Sequence, residues 1–486
     1  MWIIGSMMQY KQLEKLIETS EITKVCFDSR KIIDECAFVA IKGEKSNGND
    51  FIDLAIKAGA KIIITDDLEV ATNYENDKII YVENSRIALS VLAGSLYPKL
   101  PKHLIAAVGT NGKTSLVSYC RQLYKLFNKN SASIGTIGLE CDYKDFVYQD
   151  CLTTSDPLTL RSTLHTLAIN DVNYVAFEAS SHGLDQERLY GIKVSAAAFT
   201  SFSQDHLDYH KTMDNYLLAK LKLFKDNLLP KAIVVINSEI AEFNFIKSFL
   251  LKHGVEFLTV GINGDIKIDQ ITQSLLGQEI SFSYEGVIYN FHTEIISSVQ
   301  VTNLLTAALL VHKTGFEFED VIMGLSKVKA VTGRLERVTD KTHPFHVFVD
   351  YAHTPDALKN SLSDLKEIKP KHGKLKVIFG CGGDRDKSKR PQMGEIASEI
   401  ADEVIITDDN PRNEDPNKIR KEILSKAFGA KEIEGRKEAI ISVINELAAG
   451  DILLIAGKGH EDYQIIGDTK IAFSDAEIAR ETIKKL

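Results

Sequence analysis

The sequence has no run of about 18 consecutive apolar residues, which a membrane-spanning helix requires, so we expect no membrane span. The N-terminal apolar patch is too short and lacks the basic flank of a secretory signal, and Met7 or Met8 is an alternative start. Six cysteines form no CxxC pair and show no metal-ligand spacing, so we interpret them as reduced thiols of a cytoplasmic protein.

An excess of positive charge is also missing. The 58 Lys and Arg residues are outnumbered by 67 Asp and Glu residues, and the formal net charge is −9. A mildly acidic chain has no general attraction for nucleic acid or for an anionic membrane, and we expect neither as a partner. Any polyanionic ligand must therefore be held by a local site.

Prolines are few, ten in 486 residues, and two of them enclose Lys99 and Leu100. This segment predicts a linker, and a second boundary is predicted near residue 335, before the turn-rich stretch 339–344. The length suits three domains, and we place them at residues 1–100, 101–335 and 336–486.

Short buried-strand patterns alternate with helical patterns in all three segments. In the middle and last segments the strand patterns are at 104–108, 174–177, 196–200, 232–236, 346–349, 375–379, 404–407 and 452–455. This alternation predicts an α/β fold with mainly parallel sheets covered by helices on both faces. We expect a small α/β domain, a central domain with a parallel sheet, and a C-terminal doubly wound, Rossmann-like domain.

The strongest local signal is Gly109-Thr110-Asn111-Gly112-Lys113-Thr114, between an apolar strand and a helix expected over 115–127. Glycines let backbone N–H groups turn toward a phosphate, and the helix N-terminus adds partial positive charge. Lys113 is expected to reach the β and γ phosphates and Thr114 to place its hydroxyl on Mg²⁺. The first glycine of the usual motif is replaced by Ala107.

Two further polar groups follow strands. Glu178 ends the strand at 174–177, and its carboxylate suits Mg²⁺ together with Thr114, although capping of the next turn is an alternative role. The cluster 203–210 holds two Asp and two His, which fits a metal site, a phosphate-edge site or a solvated loop. Lys220 lies in an amphipathic helix, where a surface or snorkelling lysine is the ordinary interpretation.

These motifs, in this order and over the whole chain, resemble the Mur ligase family of ATP-dependent enzymes, which add amino acids to the peptidoglycan precursor. Besides the phosphate loop, the resemblance rests on the segments 178–184, 205–210, 333–334, 350–356, 381–386, 409–412 and 457–461. The last four segments resemble the branch of the family that attaches the third residue of the peptide.

The resemblance implies several roles around ATP. It assigns ATP binding to Gly109, Thr110, Asn111, Gly112, Lys113, Thr114, Ser115, Asn303, Arg334 and Asp350, with Arg334 reaching the transferring phosphate and Asp350 the ribose side. It implies that Lys220 reacts with CO₂ to form a carbamate, and that Glu178, His206 and this modified lysine hold a second Mg²⁺. The implied catalytic residues are Lys113, Glu178, His206, Lys220 and Arg334, and the implied metal ligands are Thr114, Glu178, His206 and Lys220.

The resemblance also implies sites for the acceptor. Ser29 and Arg30 match a uridine-binding turn, and the residues matched to the muramoyl-dipeptide site are Thr153, Thr154, Ser180, Gln186 and Arg188. Two departures from the family pattern are visible. Residues 294–303 lack the glycine and the aromatic residue that usually precede Asn303, and Thr332 replaces a common proline.

The last segment bears on which amino acid is added. In the family, Asp409-Asn410-Pro411-Arg412 accompanies enzymes that add meso-diaminopimelate, and the resemblance adds Arg385, Gly457 and Glu461 to this site. Diaminopimelate carries a second amino-acid head, whose carboxylate a guanidinium can clamp with two hydrogen bonds. Lysine would instead place an ammonium there, facing Arg412 with like charge. We expect Arg385 to hold a carboxylate and Glu461 to accept from the distal amine.

The resulting hypothesis is a monomeric bacterial ligase that uses ATP and two Mg²⁺ ions. It would phosphorylate the D-glutamate carboxylate of UDP-N-acetylmuramoyl-L-alanyl-D-glutamate, and the amine of meso-diaminopimelate would attack the acyl phosphate. No residue is predicted as the base for that amine. The alternatives are a lysine-adding ligase, a folate-glutamating relative, and a regulatory P-loop NTPase or nucleotide-gated binding module.

Overall fold

The computed structural model of the chain describes residues 10–15, 22–32, 35–43, 46–74, 78–143 and 152–486. Two compact units are present. The first contains residues 1–108, 127–197 and 218–232, and the second contains residues 109–126, 198–217 and 233–486. The chain passes between the units several times.

The N-terminal segment forms a four-stranded parallel sheet. Its strands, adjacent in chain order, are β1 (Val25–Cys26), β2 (Ala37–Ala40), β3 (Ile62–Thr65) and β4 (Ile79–Tyr81). Its helices are α1 (Ile52–Lys57), α2 (Leu68–Asn73) and α3 (Ser85–Leu96), and residues 10–15 are also helical. The sequence pattern over residues 10–17 predicts a helix, and residues 16 and 17 of it lie outside the described residues. Strand β2 is wholly buried and was not predicted, because four apolar residues carry no periodicity.

The middle segment begins with the strand that leads into the glycine-rich loop. Its first elements are β5 (His103–Val108), α4 (Lys113–Leu126), β6 (Ser131–Gly135), β7 (Gly138–Cys141), α5 (Pro157–Ile169), β8 (Tyr174–Glu178), α6 (Ser181–Asp185) and β9 (Val194–Phe199). Within the first unit the strand order is β5-β8-β6-β7, and only the β6–β7 pair among these is antiparallel. Parallel pairing brings the carboxyl ends of β5 and β8 to the same edge.

The second half of the middle segment contains an antiparallel region that the sequence did not predict. It continues with α7 (Leu207–His210), α8 (Met213–Asp226), β10 (Leu228–Asn237), α9 (Phe243–Lys252), β11 (Phe257–Gly261), β12 (Ile266–Ser274), β13 (Gly277–Tyr284), β14 (Val287–Thr293), α10 (Ser298–His312) and α11 (Phe318–Leu325). Strands β12, β13 and β14 form two antiparallel hairpins. The middle strand, β13, alternates buried and less buried residues over 279–284, as expected of a sheet with one exposed face.

The last segment is a doubly wound sheet. Its elements are β15 (Glu336–Arg337), β16 (His346–Asp350), α12 (Pro355–Ile368), β17 (Leu375–Phe379), α13 (Lys389–Ile400), β18 (Glu403–Ile406), α14 (Pro416–Leu424), β19 (Lys431–Glu432), α15 (Arg436–Asn445), β20 (Ile452–Ala456), β21 (Tyr463–Ile466), β22 (Thr469–Ala472) and α16 (Asp475–Ile483). The strand order is β15-β16-β20-β17-β18-β19, parallel except for β15, and β21 and β22 form a separate hairpin.

Both faces of this sheet are buried. Val377 and Phe379 pack into one apolar cluster, whereas Ile378 packs into the cluster on the opposite face. Alternate residues of a strand point to opposite faces, so helices cover the sheet on both sides. The predicted α/β class, with mainly parallel sheets, is confirmed. The predicted domain boundaries remain predictions.

The helices that follow the strands begin with recognisable capping residues. Thr354 precedes Pro355 at the start of α12, and its hydroxyl accepts a hydrogen bond from Ala357 N. In the same way, Asp415 caps α14 and precedes Pro416, and the Asp415 carboxylate accepts a hydrogen bond from Asn417 N. A capping side chain followed by proline fixes where a helix begins, because proline needs no hydrogen bond at that position.

A buried ion pair joins α15 to α16. Arg436 donates from Nε and Nη2 to the two carboxylate oxygens of Asp475, at 2.7 Å each, and both side chains are fully buried. Such a pair contributes less net stability than its distance suggests, but removing one partner leaves a buried, uncompensated charge.

We therefore expect Asp475→Ala to lower the free energy of unfolding by about 3–5 kcal/mol, measured by urea denaturation. The control is Lys426→Gln, which breaks the exposed ion pair with Glu395 and should cost less than about 1 kcal/mol. Equal denaturation midpoints for the wild type and Asp475→Ala would contradict this expectation.

Candidate functional site

The glycine-rich loop joins β5 to α4 and is held close to the chain that follows β9. A Cβ atom on Gly109 would lie 2.0 Å from Thr200 Oγ1, so only glycine fits there. Gly112 has a φ of +88°, a conformation that glycine adopts without strain. The loop therefore has the backbone freedom that a phosphate-binding turn needs.

Lys113 lies at the first turn of α4 with its ammonium folded over the loop. Its Nζ donates to the carbonyl oxygens of Gly109, at 2.9 Å, and Thr110, at 2.8 Å. An ammonium at this point, next to a helix N-terminus, produces a local site for an anion in an otherwise acidic chain. A chain with a net charge of −9 would need a local site of this kind to hold a polyanionic ligand.

The loop is braced by residues that the sequence analysis did not assign. Thr110 N donates to Ser201 O, and Asn111 N donates to Ser201 Oγ, both at 2.8 Å. The Thr110 hydroxyl lies 3.3 Å from the Tyr216 hydroxyl. The available signal was the polar run of residues 200–204 directly after β9.

Two predicted ATP-binding residues lie beside the loop. Arg334 Nη2 donates to Thr114 Oγ1 at 2.8 Å, and its guanidinium carbon lies 4.5 Å from the centre of the Tyr351 ring. The Asn303 amide lies next to Gly112, where a Cβ atom would come within 2.9 Å of Asn303 Oδ1. Stacking on Tyr351 restrains a guanidinium that would otherwise be flexible.

Asp350, predicted to lie at the ribose side, is a buried carboxylate at the end of β16. It accepts from Tyr351 N at 2.8 Å, from Leu335 N at 3.2 Å and from the Ser361 hydroxyl. Burial raises its pKa. These bonds fix the segment that carries Arg334.

The Asp205–His206 segment is electrostatically polarised. His206 has a φ of +54°, and its backbone N–H donates to Asp205 Oδ1 at 2.9 Å. Burial alone would raise the pKa of Asp205, but its electrostatic interactions with His206, His353 and Lys389 outweigh burial and lower this pKa to about 2.

Glu178, the predicted metal ligand, ends β8 and is 1% exposed. Its Oε1 accepts from Thr136 N at 2.8 Å and its Oε2 from Thr136 Oγ1 at 3.2 Å. A Cβ atom on Gly135 would lie 2.1 Å from Glu178 Oε1, so this glycine makes room for the carboxylate. Its donors are neutral, which leaves a buried carboxylate suited to a cation.

Most of the residues predicted for the muramoyl-dipeptide lie around Glu178. Thr153 Oγ1 is 3.0 Å from Thr136 Oγ1, and Thr154 Oγ1 donates to Glu178 O at 2.8 Å. The remaining contacts are Ser180 N to Thr154 Oγ1 at 2.8 Å, Arg188 Nη1 to Thr154 O at 2.5 Å, and Arg188 Nη2 to Gln186 Oε1 at 2.7 Å. The structure thus gathers Thr153, Thr154, Ser180, Gln186 and Arg188 in the first unit.

Ser29 and Arg30 lie in a short 3₁₀ turn, Ser29–Lys31, after β1. Arg30 donates to both Asp28 oxygens, and this hydrogen bonding lowers the pKa of Asp28 to about 2. The Arg30 side chain is mostly exposed. The turn is preformed around the ion pair, with its guanidinium open to a ligand.

The ordinary interpretation of Lys220 as a surface or snorkelling lysine is wrong. Lys220 is 1% exposed on α8, between the buried residues Ala219 and Leu221. The amphipathic pattern misled because helix α8 is buried on more than one side. Burying an ammonium costs free energy unless the group is paired or loses its charge.

The residues predicted for the third substrate converge at three adjacent strands of the last sheet. Strands β20, β17 and β18 are neighbours, and the loops after them hold Gly457–Glu461, Cys381–Asp386 and Asp409–Arg412. A Cβ atom on Gly457 would lie 2.8 Å from Asp409 Oδ2. A ligand site at the carboxyl edge of a doubly wound sheet is typical of this fold.

Arg412 is held in a left-handed conformation, with a φ of +51°. Its N–H donates to Ile465 O at 3.1 Å and its Nη1 to Gly383 O at 2.8 Å. Its guanidinium and the stem of Arg385 both flank Gly382, where a Cβ atom would lie 2.8 Å from Arg412 Nη1 and 3.8 Å from Arg385 Cγ. Two cationic side chains therefore share one loop.

Asn410 and Glu461 face each other beside this pair. Asn410 Nδ2 donates to Glu461 Oε2 at 2.9 Å, and the backbone around them is fixed by Gln464 Nε2, which donates to Asp409 O at 2.6 Å. Lys458 lies in the same segment, 457–461, but was not among the predicted site residues, and it contacts both Asn410 and Glu461.

Fully buried arginines hold these loops from behind, and no motif pointed to them. Arg436 Nη2 donates to Ala456 O at 2.8 Å, directly before the Gly457 loop, and its Nη1 to Asp408 O at 3.4 Å, directly before Asp409. Arg420 donates to the Asp408 carboxylate. Each arginine thus fixes the start of a loop that carries predicted ligand residues.

A third buried arginine, Arg390, contacts the remaining loop of the site, residues 381–386. Its Nη2 donates to Gly382 O at 3.2 Å, while Glu414 and Glu422 balance its charge. Arg390, Arg420 and Arg436 are the three largest fully buried side chains of the described chain.

Within the described residues, no three His, Cys, Asp or Glu side chains form a metal-binding group by themselves. The predicted metal ligands Glu178 and Lys220 lie in the first unit, and Thr114 and His206 lie in the second. Cys26, Cys36, Cys120, Cys141 and Cys381 are free thiols, and Cys151 lies outside the described residues. Among the described helices, none is long and apolar enough to cross a membrane.

Three family models match the sequence. The Mur ligase middle domain matches residues 108–311, the Mur ligase glutamate ligase domain matches residues 333–459, and the catalytic domain of the Mur ligase family matches residues 21–97. Together these matches cover more than half of the chain.

Curated relatives match nearly the full length. A UDP-N-acetylmuramoyl-L-alanyl-D-glutamate--2,6-diaminopimelate ligase of Rickettsia montanensis is 52% identical over 97% of this chain and 98% of its own. The enzyme of the same name from Zymomonas mobilis is 43% identical over 94% of this chain and 93% of its own. A solved structure of a ligase of that name is 31% identical, with a TM-score of 0.68, over 96% of this chain and 95% of its own.

The lowered pKa of Asp205 predicts a pH-dependent contribution to stability. Its folded pKa of about 2 lies below the ordinary aspartate value of 3.8, so ionised Asp205 stabilises the folded state above about pH 4. This contribution is lost as the pH falls toward 2. Asp205→Asn should therefore cost on the order of 2 kcal/mol at pH 7, about half as much near pH 3, and little below pH 2.

The measurement is urea denaturation of both proteins across this pH range. Asp208→Asn is the control, since this neighbouring carboxylate is exposed. A difference between the wild type and Asp205→Asn that does not change with pH would contradict the expectation.

Proposed function

The chain belongs to the Mur ligase family, and on that premise we propose that it joins meso-diaminopimelate to UDP-N-acetylmuramoyl-L-alanyl-D-glutamate with cleavage of ATP. It is a ligase of peptidoglycan precursor synthesis. The observation that carries the choice of amino acid is the array at the edge of the last sheet. There Arg412 and Arg385 flank Gly382, and the Asn410 amide pairs with Glu461.

The reaction has two steps. An oxygen of the D-glutamate carboxylate attacks the γ-phosphorus of ATP, and ADP leaves with the electrons of the broken P–O bond. The amine of meso-diaminopimelate then attacks the acyl carbon, loses a proton, and expels phosphate as the amide forms. Both steps depend mainly on positioning, because each reactant must be oriented before charge moves.

The phosphate loop is the proposed site for ATP. Lys113 already folds over the loop, and a phosphate chain would replace the carbonyl oxygens of Gly109 and Thr110 as its partners. Arg334 is held by the Tyr351 ring and by Thr114, so it is ordered for contact with a transferring phosphoryl group. Preorganised donors of this kind stabilise developing charge without first having to reorient.

Oxygen donors at the proposed metal sites suit Mg²⁺. The Thr114 hydroxyl and the buried Glu178 carboxylate are hard ligands, and the donors to Glu178 are neutral. When bound, Mg²⁺ would neutralise charge on the transferring phosphoryl group. His206 and Lys220 complete the proposed set, but an ammonium cannot be a ligand. Lys220 must therefore be modified to take part.

We propose that Lys220 is a carbamate. Its neutral amine attacks the carbon of CO₂, an N–C bond forms, and one proton is released, which turns a cation into an anionic oxygen donor. The support is burial: Lys220 is 1% exposed, a buried charge needs a counter-charge, and a bound Mg²⁺ at the proposed metal site would be the counter-ion of a carbamate anion.

Lys220→Ala should lower kcat by at least about 100-fold, in the range of a lost charge-stabilising group, and formate or acetate should partly restore it. Wild-type activity should fall in CO₂-depleted buffer and return with bicarbonate. Lys222→Ala is the matched control, since this lysine of the same helix is half-buried and paired with Asp185 and Glu187. Activity insensitive to bicarbonate, together with no rescue by small carboxylates, would contradict the carbamate.

The decisive test of the function is an amide-forming assay with purified protein, ATP, Mg²⁺, the UDP-linked dipeptide and each candidate amino acid. Phosphate release should require both the dipeptide and diaminopimelate. Arg412→Ala should lower kcat/KM for diaminopimelate by about 30- to several-thousand-fold, which corresponds to about 2–5 kcal/mol for an unpaired charged group. Arg480→Ala, which removes an arginine of a partly exposed ion pair, is the control.

Each alternative has its own outcome. Equal ligation of lysine and diaminopimelate would favour the lysine-adding form and overturn the role of Arg412. Nucleotide hydrolysis that does not depend on the dipeptide would favour a regulatory NTPase. We further propose that the protein acts in the bacterial cytoplasm, because ATP and nucleotide-linked precursors are cytoplasmic substrates, and that it acts as a monomer.

A further inference from the structure

Lys458 is a buried cation that the proposed reaction does not use directly. It follows β20, is 0% exposed, and its Nζ donates to Asn410 Oδ1 and Glu461 Oε2 at 3.1 Å each. A lysine that is fully buried and doubly bonded at a ligand site requires a physical reason, because burying its ammonium is costly.

The contacts of Lys458 determine which way the Asn410 amide points. An ammonium and the backbone N–H of Ile465 are both donors, and both lie within hydrogen-bond distance of one Asn410 atom, at 3.1 Å and 2.9 Å. That atom must be the oxygen, since two donors cannot face an NH₂ group. The opposite atom, Nδ2, lies 2.9 Å from the Glu461 carboxylate, which only accepts.

This orientation decides what the amide offers to a ligand. Its oxygen already accepts two hydrogen bonds. Its nitrogen carries two hydrogens, of which Glu461 takes one, and the described residues offer no acceptor for the other. Asn410 therefore presents a donor, and Glu461 retains Oε1 as an acceptor. A donor next to an acceptor complements the carboxylate and ammonium of an amino-acid head.

We propose that Lys458 is a positioning residue that holds Asn410 as a donor and so favours a distal head with a carboxylate over a lone ammonium. The inference rests on the proposed function. Without the ammonium, only Ile465 N–H and Glu461 still orient the amide, so turning it to offer its oxygen to the ammonium of lysine costs one hydrogen bond fewer. Lys458 thus acts on selectivity through Asn410, not by contact with the reacting atoms.

The test is Lys458→Met, which keeps the length of the side chain and removes its charge and its donors. We expect a rise in KM for diaminopimelate of about tenfold, with kcat at saturation changed less than threefold. The ratio of kcat/KM for diaminopimelate to that for lysine should fall about tenfold. The matched control is Lys470→Met, because Lys470 stacks on Tyr463 of the neighbouring hairpin. It should leave the ratio and both constants unchanged.

A second variant, Asn410→Asp, removes the Nδ2 donor itself and leaves Lys458 in place as the cation beside the new carboxylate. Its carboxylate keeps the shape of the amide but offers acceptors only, so the ratio should again fall, whether or not Lys458→Met folds. Thermal denaturation monitors folding of all three variants.

An unchanged ratio in folded Lys458→Met, or in Asn410→Asp, overturns the inference. Equal losses of kcat for both amino acids also overturn it, because they indicate a merely structural role. If the wild type forms the amide with diaminopimelate, these failures leave the proposed function intact. A wild type that forms no such product overturns the proposed function and the inference with it.

Discussion

Parallel strands end at one edge of their sheet, and the loops that follow them must meet there. This constraint places Glu178 at the end of β8, beside the end of the adjacent strand β5, and Arg412 and Glu461 in the loops that follow β18 and β20 of the last sheet. The positions of the candidate residues follow from strand order. Their orientation follows from what lies beneath the loops.

Beneath the loops of the last sheet lie charges rather than apolar side chains. Arg436 and Arg420 approach the backbone and side chain of Asp408, and Arg390 approaches the carbonyl oxygen of Gly382. A guanidinium supplies five donors in a fixed plane, so it can satisfy loop carbonyls and a balancing carboxylate at once. The cost of burying these charges is offset by paired acceptors, and the result is a site whose loops are ordered before a ligand arrives.

Sequence reasoning succeeded where chemistry is concentrated in a short motif. The alternation of strands and helices predicted the α/β class, and the spacing from Gly109 to Thr114 predicted the strand–loop–helix turn that the structure contains. It did not predict β2 or the β12–β14 hairpins, because short or weakly alternating strands are defined by their neighbours. The amphipathic pattern around Lys220 suggested a surface lysine, an alternative that its burial excludes, because such a pattern cannot show what packs against the polar face of a helix.

The residues that escaped prediction share one property. The three buried arginines lie on three different helices, 30 and 16 residues apart: Arg390, Arg420 and Arg436. The contact of each arginine with a loop can be inferred only when the strand order of the sheet is known. A motif can be recognised in a sequence when its residues are consecutive, as Gly457 to Glu461 are. An arginine that holds a loop distant in the sequence cannot be recognised in this way. Lys458 combines both properties. It lies within a motif of consecutive residues, but its proposed role depends on Asn410, 48 residues away, because the orientation of an amide is fixed only by its hydrogen-bond partners.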